Sequence, residues 1–201
     1  AYEIVSRDWS SDVCSSDLGW HGTLMSGIAA ANNNGAGTVG VAPDAKLLFA
    51  QVGQGGTSTS IEMAAVYKAI DWASANNATV INLSLGASFD ANFQKQMTLV
   101  TPGIWKAPTA YGSMYGYTMK DVNAFAVGTN RGSIIVAAAG NQALPYAQFP
   151  GAFATQVDST GKLVLGGRML IVGATDTTGT VIAPFSNRAR HICTNLVGRS
   201  E

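Results

Sequence analysis

Charged residues are scarce in this chain, and long apolar runs are missing from it. Only 12% of its 201 residues are Asp, Glu, Lys or Arg, while 47% are hydrophobic. That balance excludes an intrinsically disordered chain, and it excludes the dense basic surface typical of nucleic-acid binding. No apolar run approaches the roughly 18 residues that a membrane-spanning helix needs. The composition therefore predicts one globular domain with a sizeable core.

Cysteine is also scarce, and the two that occur do not favour a disulfide. Cys14 lies in residues 1–18, which show neither helical nor strand periodicity and lack the apolar core of a signal peptide. This segment resembles the in-frame translation of a short-read sequencing adapter, and Arg199–Glu201 resembles the translated start of the complementary adapter. We therefore expect both ends to be adapter-derived. Residues 19–198 are then the natural segment, in which Cys193 has no partner.

Setting these two ends aside changes the charge balance only slightly. The two ends contain 5 of the 12 acidic residues and 2 of the 12 basic residues. Residues 19–198 therefore keep 7 acidic and 10 basic residues, a net charge of +3. That excess is too small to indicate a polyanionic partner.

The apolar periodicity of residues 19–198 predicts alternating strands and helices. After a first helix from Trp20, the pattern predicts buried strands at 46–52 and 79–85, a helix from about 61 to 76 between them, a helix at 119–127, and strands at 133–139 and 168–174. Strand, helix and strand at the first spacing predict a βαβ unit in a parallel sheet. Residues 87–117 are expected to be an irregular surface excursion. The prediction is a single α/β domain.

A titratable imidazole stands at the start of the first predicted helix. In Trp20-His21-Gly22-Thr23, a glycine-containing turn runs into an almost uncharged, small-residue helix. Such an apolar helix is normally buried, and histidine is the residue type best suited to proton transfer near neutral pH. His21 is therefore a candidate catalytic base. The structural alternative is a capping or core histidine.

A turn cluster follows this helix. Asn32-Asn33-Asn34-Gly35-Ala36-Gly37 tolerates left-handed backbone. It is either a helix stop or an oxygen-rich loop for a cation around residues 32–38, and the helix stop is favoured. The sequence assigns no residue to a metal site.

Two predicted strands end in residues suited to ligand binding, since ligands collect at the carboxyl ends of open parallel sheets. Ser84-Leu85-Gly86 would expose backbone groups that can pair with an extended peptide. Ala138-Ala139-Gly140 would form small walls, and Asn141 would present an amide donor, a group that stabilises an oxyanion by roughly 3 kcal/mol. Taken singly, Ser84 is also an ordinary strand-end residue and Asn141 an ordinary turn residue.

Taken together in chain order, five motifs resemble those of the subtilisin-like serine proteases, or subtilases. The motifs are His21-Gly22-Thr23 with its Gly27 helix, Gly40-Val41-Ala42-Pro43, Val80-Ile81-Asn82-Leu83-Ser84-Leu85-Gly86, Val136-Ala137-Ala138-Ala139-Gly140-Asn141, and Val172-Gly173-Ala174 followed by Phe185-Ser186-Asn187. Each is a weak pattern alone. Their order and spacing make the resemblance specific over nearly all of residues 19–187.

The resemblance implies a three-layer α/β fold, a mostly parallel sheet flanked by helices, here incomplete. It implies that His21 is the general base and that Asn141 donates to the tetrahedral oxyanion. Ser84-Leu85-Gly86 would pair with the substrate backbone, and Ala138-Ala139-Gly140 would wall the primary specificity pocket. The implied partner is a polypeptide substrate, without nucleic acid and without a membrane helix in this segment.

The chain departs from the subtilase pattern in its catalytic triad, which needs an aspartate to orient the imidazole and a serine to attack. In subtilases the aspartate precedes the histidine motif in an Asp-Ser/Thr-Gly setting, and the serine follows the Ser-Asn motif in a Gly-Thr-Ser-Met-Ala-like helix start. No aspartate precedes His21 in the natural segment, and no such serine sequence occurs between Asn187 and Glu201. We therefore expect an inactive, aggregation-prone fragment of a serine endopeptidase. The resemblance allows a calcium ion in the full-length protein, whose other ligands would precede Gly19.

Three further features are most similar to bacterial autotransporter subtilases. They are Leu24 after Thr23, the excursion at 87–117 and the segment Arg190-His191-Ile192-Cys193. The resemblance implies a secreted or cell-surface protein. His191 is expected to be an ordinary surface residue or part of a second-cysteine loop.

Two alternatives belong to other functional classes. A non-catalytic subtilase-like domain would bind extended peptides, and an aspartate motif upstream and a serine motif downstream in the gene would discriminate the enzyme from it. A nucleotide-binding α/β domain is disfavoured. Residues 53–60 lack both the Gly-Lys-Ser/Thr ending and the G-x-G-x-x-G spacing.

Overall fold

The computed structural model describes residues 4–6, 20–53, 61–86, 98–101, 104–106, 119–188 and 191–193. The chain divides into two compact units, Ala1–Ala73 and Ser74–Glu201. In the described residues the helices are α1 (Trp20–Ala30), α2 (Met63–Ala75) and α3 (Met119–Asn130), with a 3-10 helix at Gly151–Thr155. The strands are β1 (Ile4–Ser6), β2 (Leu48–Ala50), β3 (Val80–Leu83), β4 (Thr98–Thr101), β5 (Ile104–Lys106), β6 (Ile134–Ala138), β7 (Met169–Val172) and β8 (His191–Cys193).

The first unit contains a two-stranded antiparallel ladder and helix α1. β2 pairs with β1, so that Ile4 lies opposite Ala50 and Ser6 opposite Leu48. The predicted βαβ ladder between β2 and β3 is therefore wrong for the described strands, because β2 takes its partner from the beginning of the chain and β3 pairs with β6. Apolar periodicity identifies a strand but carries no information about its partner.

The C-terminal end of α1 is closed by the segment that follows the Asn-rich turn. The backbone N–H groups of Gly40, Val41 and Ala42 donate to the carbonyls of Ala31, Ile28 and Ala29 at 2.9, 3.0 and 2.8 Å. These are carbonyls that a helix end leaves without an intrahelical partner. A Cβ at Gly40 would collide with the backbone of Ala30 and Ala31. The glycine of this motif is thus required by a close backbone approach.

Burial of α1 differs from the sequence expectation. Ala30 is buried, but Leu24 and Ile28 are 58% and 59% exposed. Both lie on the same face of the helix as His21, at spacings of three and four residues. The expectation of a buried helix is therefore wrong for this face.

Helix α2 follows its predicted amphipathic pattern closely. Ala65, Val66, Ile70 and Ala73 are buried, as the period of 3.6 residues requires. The helix was predicted to begin at about residue 61, but Ile61 lies outside it and is 39% exposed.

The second unit is built on a parallel sheet with the order β3-β6-β7. Val80 pairs with Ile134 and Leu83 with Ala137, and on the other side of β6 Ile135 pairs with Met169 and Ala138 with Val172. One face of this sheet is buried, with Ile81, Leu83, Ile135, Ala137 and Met169 in the core. Beside them lie α3 and the 3-10 helix, where the ring of Phe153 meets Phe125 edge-on at 5.2 Å and Phe149 at 5.0 Å.

The opposite face of the same sheet is not fully buried. Val80, Leu170 and Val172 are 56%, 52% and 51% exposed, although the strands were expected to be buried on both sides. The strands therefore alternate in burial with a period of two residues, as in a sheet with one covered face.

A second ladder lies partly within the region expected to be irregular. β4 and β5 form an antiparallel pair with an irregular register between Leu99 and Thr101, and β8 adds to β5 in parallel. That expectation is corrected for these residues, whose strand-favouring types lie in runs too short to show periodicity. His191 and Cys193 belong to β8. Arg190 and the rest of the excursion lie outside the described residues.

Within the described residues, no helix combines the length and hydropathy that a bilayer crossing requires.

Candidate functional site

The two predicted strand ends leave the sheet side by side. β3 and β6 run parallel, and their last paired residues are Leu83 and Ala137. Ser84-Leu85-Gly86 and Ala138-Ala139-Gly140-Asn141 therefore extend beyond the same edge, where carboxyl ends of parallel strands form ligand sites. Ser84 and Leu85 are half-buried, and Gly86 is exposed. Seven predicted site residues are thus brought to one edge of the second unit, with Asn141 as the last of them.

Asn141 is presented to solvent at the end of this edge. Its side chain is exposed, and in the described part of the chain it forms no hydrogen bond. The two residues that precede it, Ala139 and Gly140, are buried, whereas Gln142 is half-buried and Ala143 is exposed. An amide donor on a fixed backbone can stabilise a negative charge that develops in front of it, because its orientation costs nothing during the reaction.

The loop that carries Asn141 is held by Asn187, which the sequence places 46 positions later. Asn187 is 1% exposed, and its Oδ1 accepts the backbone N–H groups of Gln142 at 2.9 Å and Leu144 at 3.0 Å. The backbone N–H of Asn187 donates to the carbonyl of Gly140 at 2.9 Å. Two further backbone hydrogen bonds join the same segments. The N–H of Ala143 donates to the carbonyl of Phe185, and the N–H of Arg188 donates to the carbonyl of Leu144.

Gly140 is the residue at which this loop turns. Its φ is +114°, in the region that favours glycine. A Cβ there would meet the Asn187 amide nitrogen and would lie 2.7 Å from Oε1 of Gln148. The side chains of Asn187 and Gln148 therefore pack directly against this glycine.

Gln148 occupies the space between the two strand ends. Its backbone N–H donates to the carbonyl of Ala139 at 2.8 Å. Its side-chain amide lies against Gly140 through Oε1 and against Gly86 through Nε2, so that a Cβ at either glycine would collide with it. Gln148 is 7% exposed, and Oε1 is buried without a hydrogen-bond partner in the described part of the chain.

Ser186 fixes the end of β7 beside this loop. It is 2% exposed, and its Oγ accepts the backbone N–H of Ala174 at 2.9 Å while donating to the carbonyl of Asn187 at 3.0 Å. Gly173 approaches the same hydroxyl, since a Cβ there would lie 3.1 Å from it. The motifs at 172–174 and 185–187 therefore contact each other and together position the loop that carries Asn141.

His21 lies in the first unit, in the first turn of α1. Its imidazole is exposed and has no hydrogen-bond partner among the described residues. The core-histidine alternative therefore does not describe its position. The seven strand-end residues, Asn141 among them, belong to the second unit.

The described residues contain no group of three or more His, Cys, Asp or Glu side chains that could hold a metal ion. In the Asn-rich turn, Oδ1 of Asn34 accepts a hydrogen bond from the backbone N–H of Ala36 at 3.1 Å. Asparagine side chains typically form this bond in turns.

Sequence reasoning missed the roles of Gln148 and Asn187. Asn187 was the last residue of a family-like motif, but the sequence assigned no function to it. A single glutamine between apolar residues, such as Gln148, produces no periodic pattern that could be recognised. The available signal was the glycine pair, because Gly86 and Gly140 at two strand ends indicate that another group approaches closely.

Comparison with known proteins yields one family and a set of proteases. A sequence model of the subtilase family, peptidase S8, matches residues 3–197. A thermostable alkaline protease of Halalkalibacterium halodurans is 42% identical over 79 residues, which are 39% of this chain and 21% of that protein. Subtilisin E of Bacillus subtilis is 35% identical over 117 residues, 54% of this chain and 30% of that protein.

The chain thus matches less than a third of the length of these two curated relatives. Among solved structures, the prenylagaramide maturation protease PagA has a TM-score of 0.56 with this chain at 22% identity. The alignment covers 87% of this chain and 50% of that one. The likeness is one of fold.

Proposed function

This chain belongs to the subtilase family of serine proteases, and we propose that it is the substrate-binding and histidine-bearing part of a serine endopeptidase. The observation that carries the proposal is the edge at which β3 and β6 end together. The backbone that follows the last paired residues lies at this edge, together with the exposed amide of Asn141. Hydrogen bonds to Oδ1 of Asn187 hold the loop that carries Asn141.

The proposed substrate is an extended polypeptide that pairs with Ser84-Leu85-Gly86 by strand addition. Its scissile carbonyl then lies near Asn141, which donates to the oxyanion of the tetrahedral intermediate. Ala138-Ala139-Gly140 form the wall of the pocket that receives the adjacent side chain. The half-buried position of Ala138 supports that role, since its small side chain leaves a surface with little bulk.

His21 acts in this proposal as the general base. It takes the proton of the attacking serine hydroxyl and returns it to the leaving amine, while an aspartate orients the imidazole. The exposed imidazole in the first turn of α1 is accessible for such partners. In residues 19–198 no aspartate precedes His21 and no serine motif of the family follows Asn187, so we propose that this chain alone does not hydrolyse peptides.

We also propose that residues 1–18 and 199–201 are adapter-derived, and that the complete protease is a secreted or cell-surface bacterial protein of the autotransporter type. The resemblance to subtilases allows a calcium ion in the complete protein, and no residue of this chain is assigned to it. The second candidate function is a peptide-binding domain without catalysis. The backbone of residues 84–86 beyond the β3-β6 ladder favours this function as much as it favours the enzyme.

Sequencing the source gene across the Leu18–Gly19 and Gly198–Arg199 junctions is the first test. We expect an Asp-Ser/Thr-Gly motif upstream and a Gly-Thr-Ser motif downstream of the natural segment. A natural reading frame that continues through residues 1–18 would refute the adapter origin, and a gene without the two motifs would favour the peptide-binding domain.

The second test is hydrolysis of a denatured protein substrate by the complete protein. We expect His21→Ala to lower kcat by several orders of magnitude and Asn141→Ala by about 10²–10³ with little change in KM. The control is Asn123→Ala, an exposed asparagine on α3. A His21→Ala protein with full activity would overturn the assignment of the base.

A further inference from the structure

The Asn-rich turn after α1 contains the only Asn-Gly pair of the chain, Asn34-Gly35. In such a pair the backbone nitrogen of the glycine can attack the side-chain carbonyl carbon of the asparagine, because no Cβ of the second residue hinders its approach. In a folded protein, this attack also depends on the hydrogen bonds of both groups and on the space around them.

The attacking nitrogen is free, and the carbonyl group that it would attack is polarised. The backbone N–H of Gly35 forms no hydrogen bond within the described residues, so no bond has to break before the nitrogen reacts. Oδ1 of Asn34 accepts the backbone N–H of Ala36 at 3.1 Å. This bond holds the side chain against the backbone that follows it, and it withdraws electron density from Cγ.

The turn also leaves room for the five-membered ring that the attack would form. Residues 32–39 are all exposed, and no helix or strand includes them. Gly35 has a φ of +81°, and a Cβ built there would meet no atom within 4 Å. Neither pairing with a strand nor packed side chains therefore oppose a local change of the backbone.

Asn141 shows the opposite arrangement. Its side chain is exposed as well, but the nitrogen that would attack it belongs to Gln142, whose N–H donates to Oδ1 of Asn187 at 2.9 Å. The attack would break a hydrogen bond to a buried side chain, which costs free energy. Exposure of an asparagine is therefore not sufficient, and the combination of a free nitrogen, a polarised carbonyl and open space distinguishes Asn34.

We propose that Asn34 is a site of spontaneous deamidation and that the product weakens the closure of α1. The Gly35 nitrogen gives its proton to hydroxide and bonds to Cγ of Asn34. The bond between Cγ and Nδ2 then breaks, and the released nitrogen takes up a proton from water and leaves as ammonia. Water opens the resulting succinimide at either carbonyl, which yields aspartate or isoaspartate without oxidation or reduction. The inference does not depend on the proposed function of the strand-end site.

The effect on α1 follows from the position of the turn. Gly40, Val41 and Ala42, the closing segment, donate their N–H groups to the last carbonyls of the helix, and the turn connects this segment to α1. Both products place a carboxylate near the carbonyl end of a helix that has no basic residue in its last turn, and this is unfavourable. Isoaspartate also lengthens the backbone of the connection by one carbon atom.

The reaction is measured in the complete protein carrying His21→Ala, so that self-digestion does not consume the sample. The folded protein and a synthetic peptide of residues 30–38 are incubated at a series of alkaline pH values, digested in acid, and analysed by mass spectrometry and enzymatic methylation of isoaspartate. We expect aspartate and isoaspartate at position 34, at a rate that rises with pH, while Asn141 keeps its amide. A folded protein that retains Asn34 after the peptide has been converted would overturn the proposal.

Gly37→Ala is the matched control for Gly35→Ala. The two glycines have φ values of +70° and +81°, and a Cβ at either meets no atom within 4 Å, so the backbone strain should be similar. Only Gly35 supplies the attacking nitrogen. Gly35→Ala should slow the conversion by about 10-fold or more, the effect of an ordinary steric cost on a rate. Gly37→Ala should leave it nearly unchanged, and equal effects would overturn the direct role of the Gly35 nitrogen.

Hydrogen exchange of fresh and aged samples tests the effect on α1. We expect the protection of the amides of residues 40–42 to fall by about 2–5-fold in the deamidated protein, while strand β6 of the second unit keeps its protection. Asn34→Ser keeps a side chain that can bond within the turn but cannot deamidate, so its protection should not change with age. Deamidation of Asn34 without loss of protection at residues 40–42 would overturn the effect on the helix.

Discussion

Asn187 and Gln142 are joined by two hydrogen bonds. Oδ1 of Asn187 accepts the backbone N–H of Gln142 at 2.9 Å, and its Nδ2 donates to Oε1 of Gln142 at 3.2 Å. Gln142 directly follows Asn141, the exposed residue proposed to bind the oxyanion. The loop at the end of β6 is therefore held by a buried side chain from a distant part of the chain, and this pairing suggests the first experiment.

Replacement of Asn187 by leucine should destabilise the protein and loosen the loop. Leucine has the same branching of heavy atoms, with bulkier methyl groups, but leaves the backbone N–H groups of Gln142 and Leu144 without their acceptor. We expect the free energy of unfolding to fall by about 2–4 kcal/mol, because each buried donor left unpaired costs about 1–3 kcal/mol. Asn187→Asp, compared at a pH low enough to protonate its carboxyl group, keeps the Oδ1 acceptor and a donor toward Gln142 and should cost less. Urea denaturation of the complete protein measures both values, and equal losses would contradict the role of Oδ1.

Replacement of Gly140 by alanine should be much more costly than the same change at Gly132. Both glycines have positive φ, +114° and +99°. A Cβ at Gly132 meets no atom within 4 Å, whereas one at Gly140 collides with Gln148 and Asn187. We expect a loss of roughly 1 kcal/mol at Gly132 from backbone strain and of about 3 kcal/mol or more at Gly140, where overpacking adds to it. Thermal or urea denaturation compares them, and similar losses would show that the loop relaxes freely.

The exposed face of the parallel sheet should make this chain self-associate when it is expressed alone. Leu170 and Val172 are each about half exposed on strand β7, and exposed apolar patches and strand edges promote aggregation. We expect the 201-residue chain to bind a hydrophobic dye and to elute as large species in size-exclusion chromatography. The double variant Leu170→Thr/Val172→Thr should shift elution toward the monomer.

A control on the buried face distinguishes surface exposure from loss of folding. Met169 lies on β7 but is 6% exposed, so Met169→Thr should increase aggregation. A monomeric parent chain that melts cooperatively would refute this prediction.

The carboxyl group of Asp158 should titrate at lower pH than an ordinary aspartate. The Thr160 hydroxyl, which donates to Oδ1 at 2.6 Å, is the main cause that lowers its pKa, and the backbone N–H groups of Thr160 and Lys162 add to the effect. Because the folded pKa lies below the unfolded one, the contribution of Asp158 to stability is present above the ordinary value of 3.8 and is lost as pH falls through the folded pKa.

A titration followed by NMR can test this with a built-in control. Thr160→Val removes the hydroxyl at nearly constant volume and should raise the pKa of Asp158. Asp176 has the same arrangement with Thr178, whose hydroxyl donates at 2.7 Å and likewise lowers the pKa. Its titration should not move in Thr160→Val and should move in Thr178→Val. A pKa of Asp158 that ignores Thr160→Val would contradict the assignment.

Local features of the fold were predictable because local sequence causes them. Helices α1, α2 and α3 and the parallel strands β3, β6 and β7 lie where apolar periodicity predicts them, with ends shifted by a few residues. The strand-end residues 84–86 and 138–141 were predictable for the same reason, since the end of a short buried run is visible in the sequence. Their roles in binding and catalysis remain proposals.

The sequence by itself determined the α/β pattern and the family, because both reside in short segments whose residue types specify backbone geometry directly. Tertiary structure alone decided which strand pairs with β2, which sheet face is covered, and that Asn187 and Gln148 converge on Gly140. Such contacts join residues tens of positions apart. They form because the packing of helices and strands brings the ends of these elements together. No periodic pattern in the sequence indicates which distant residues will meet.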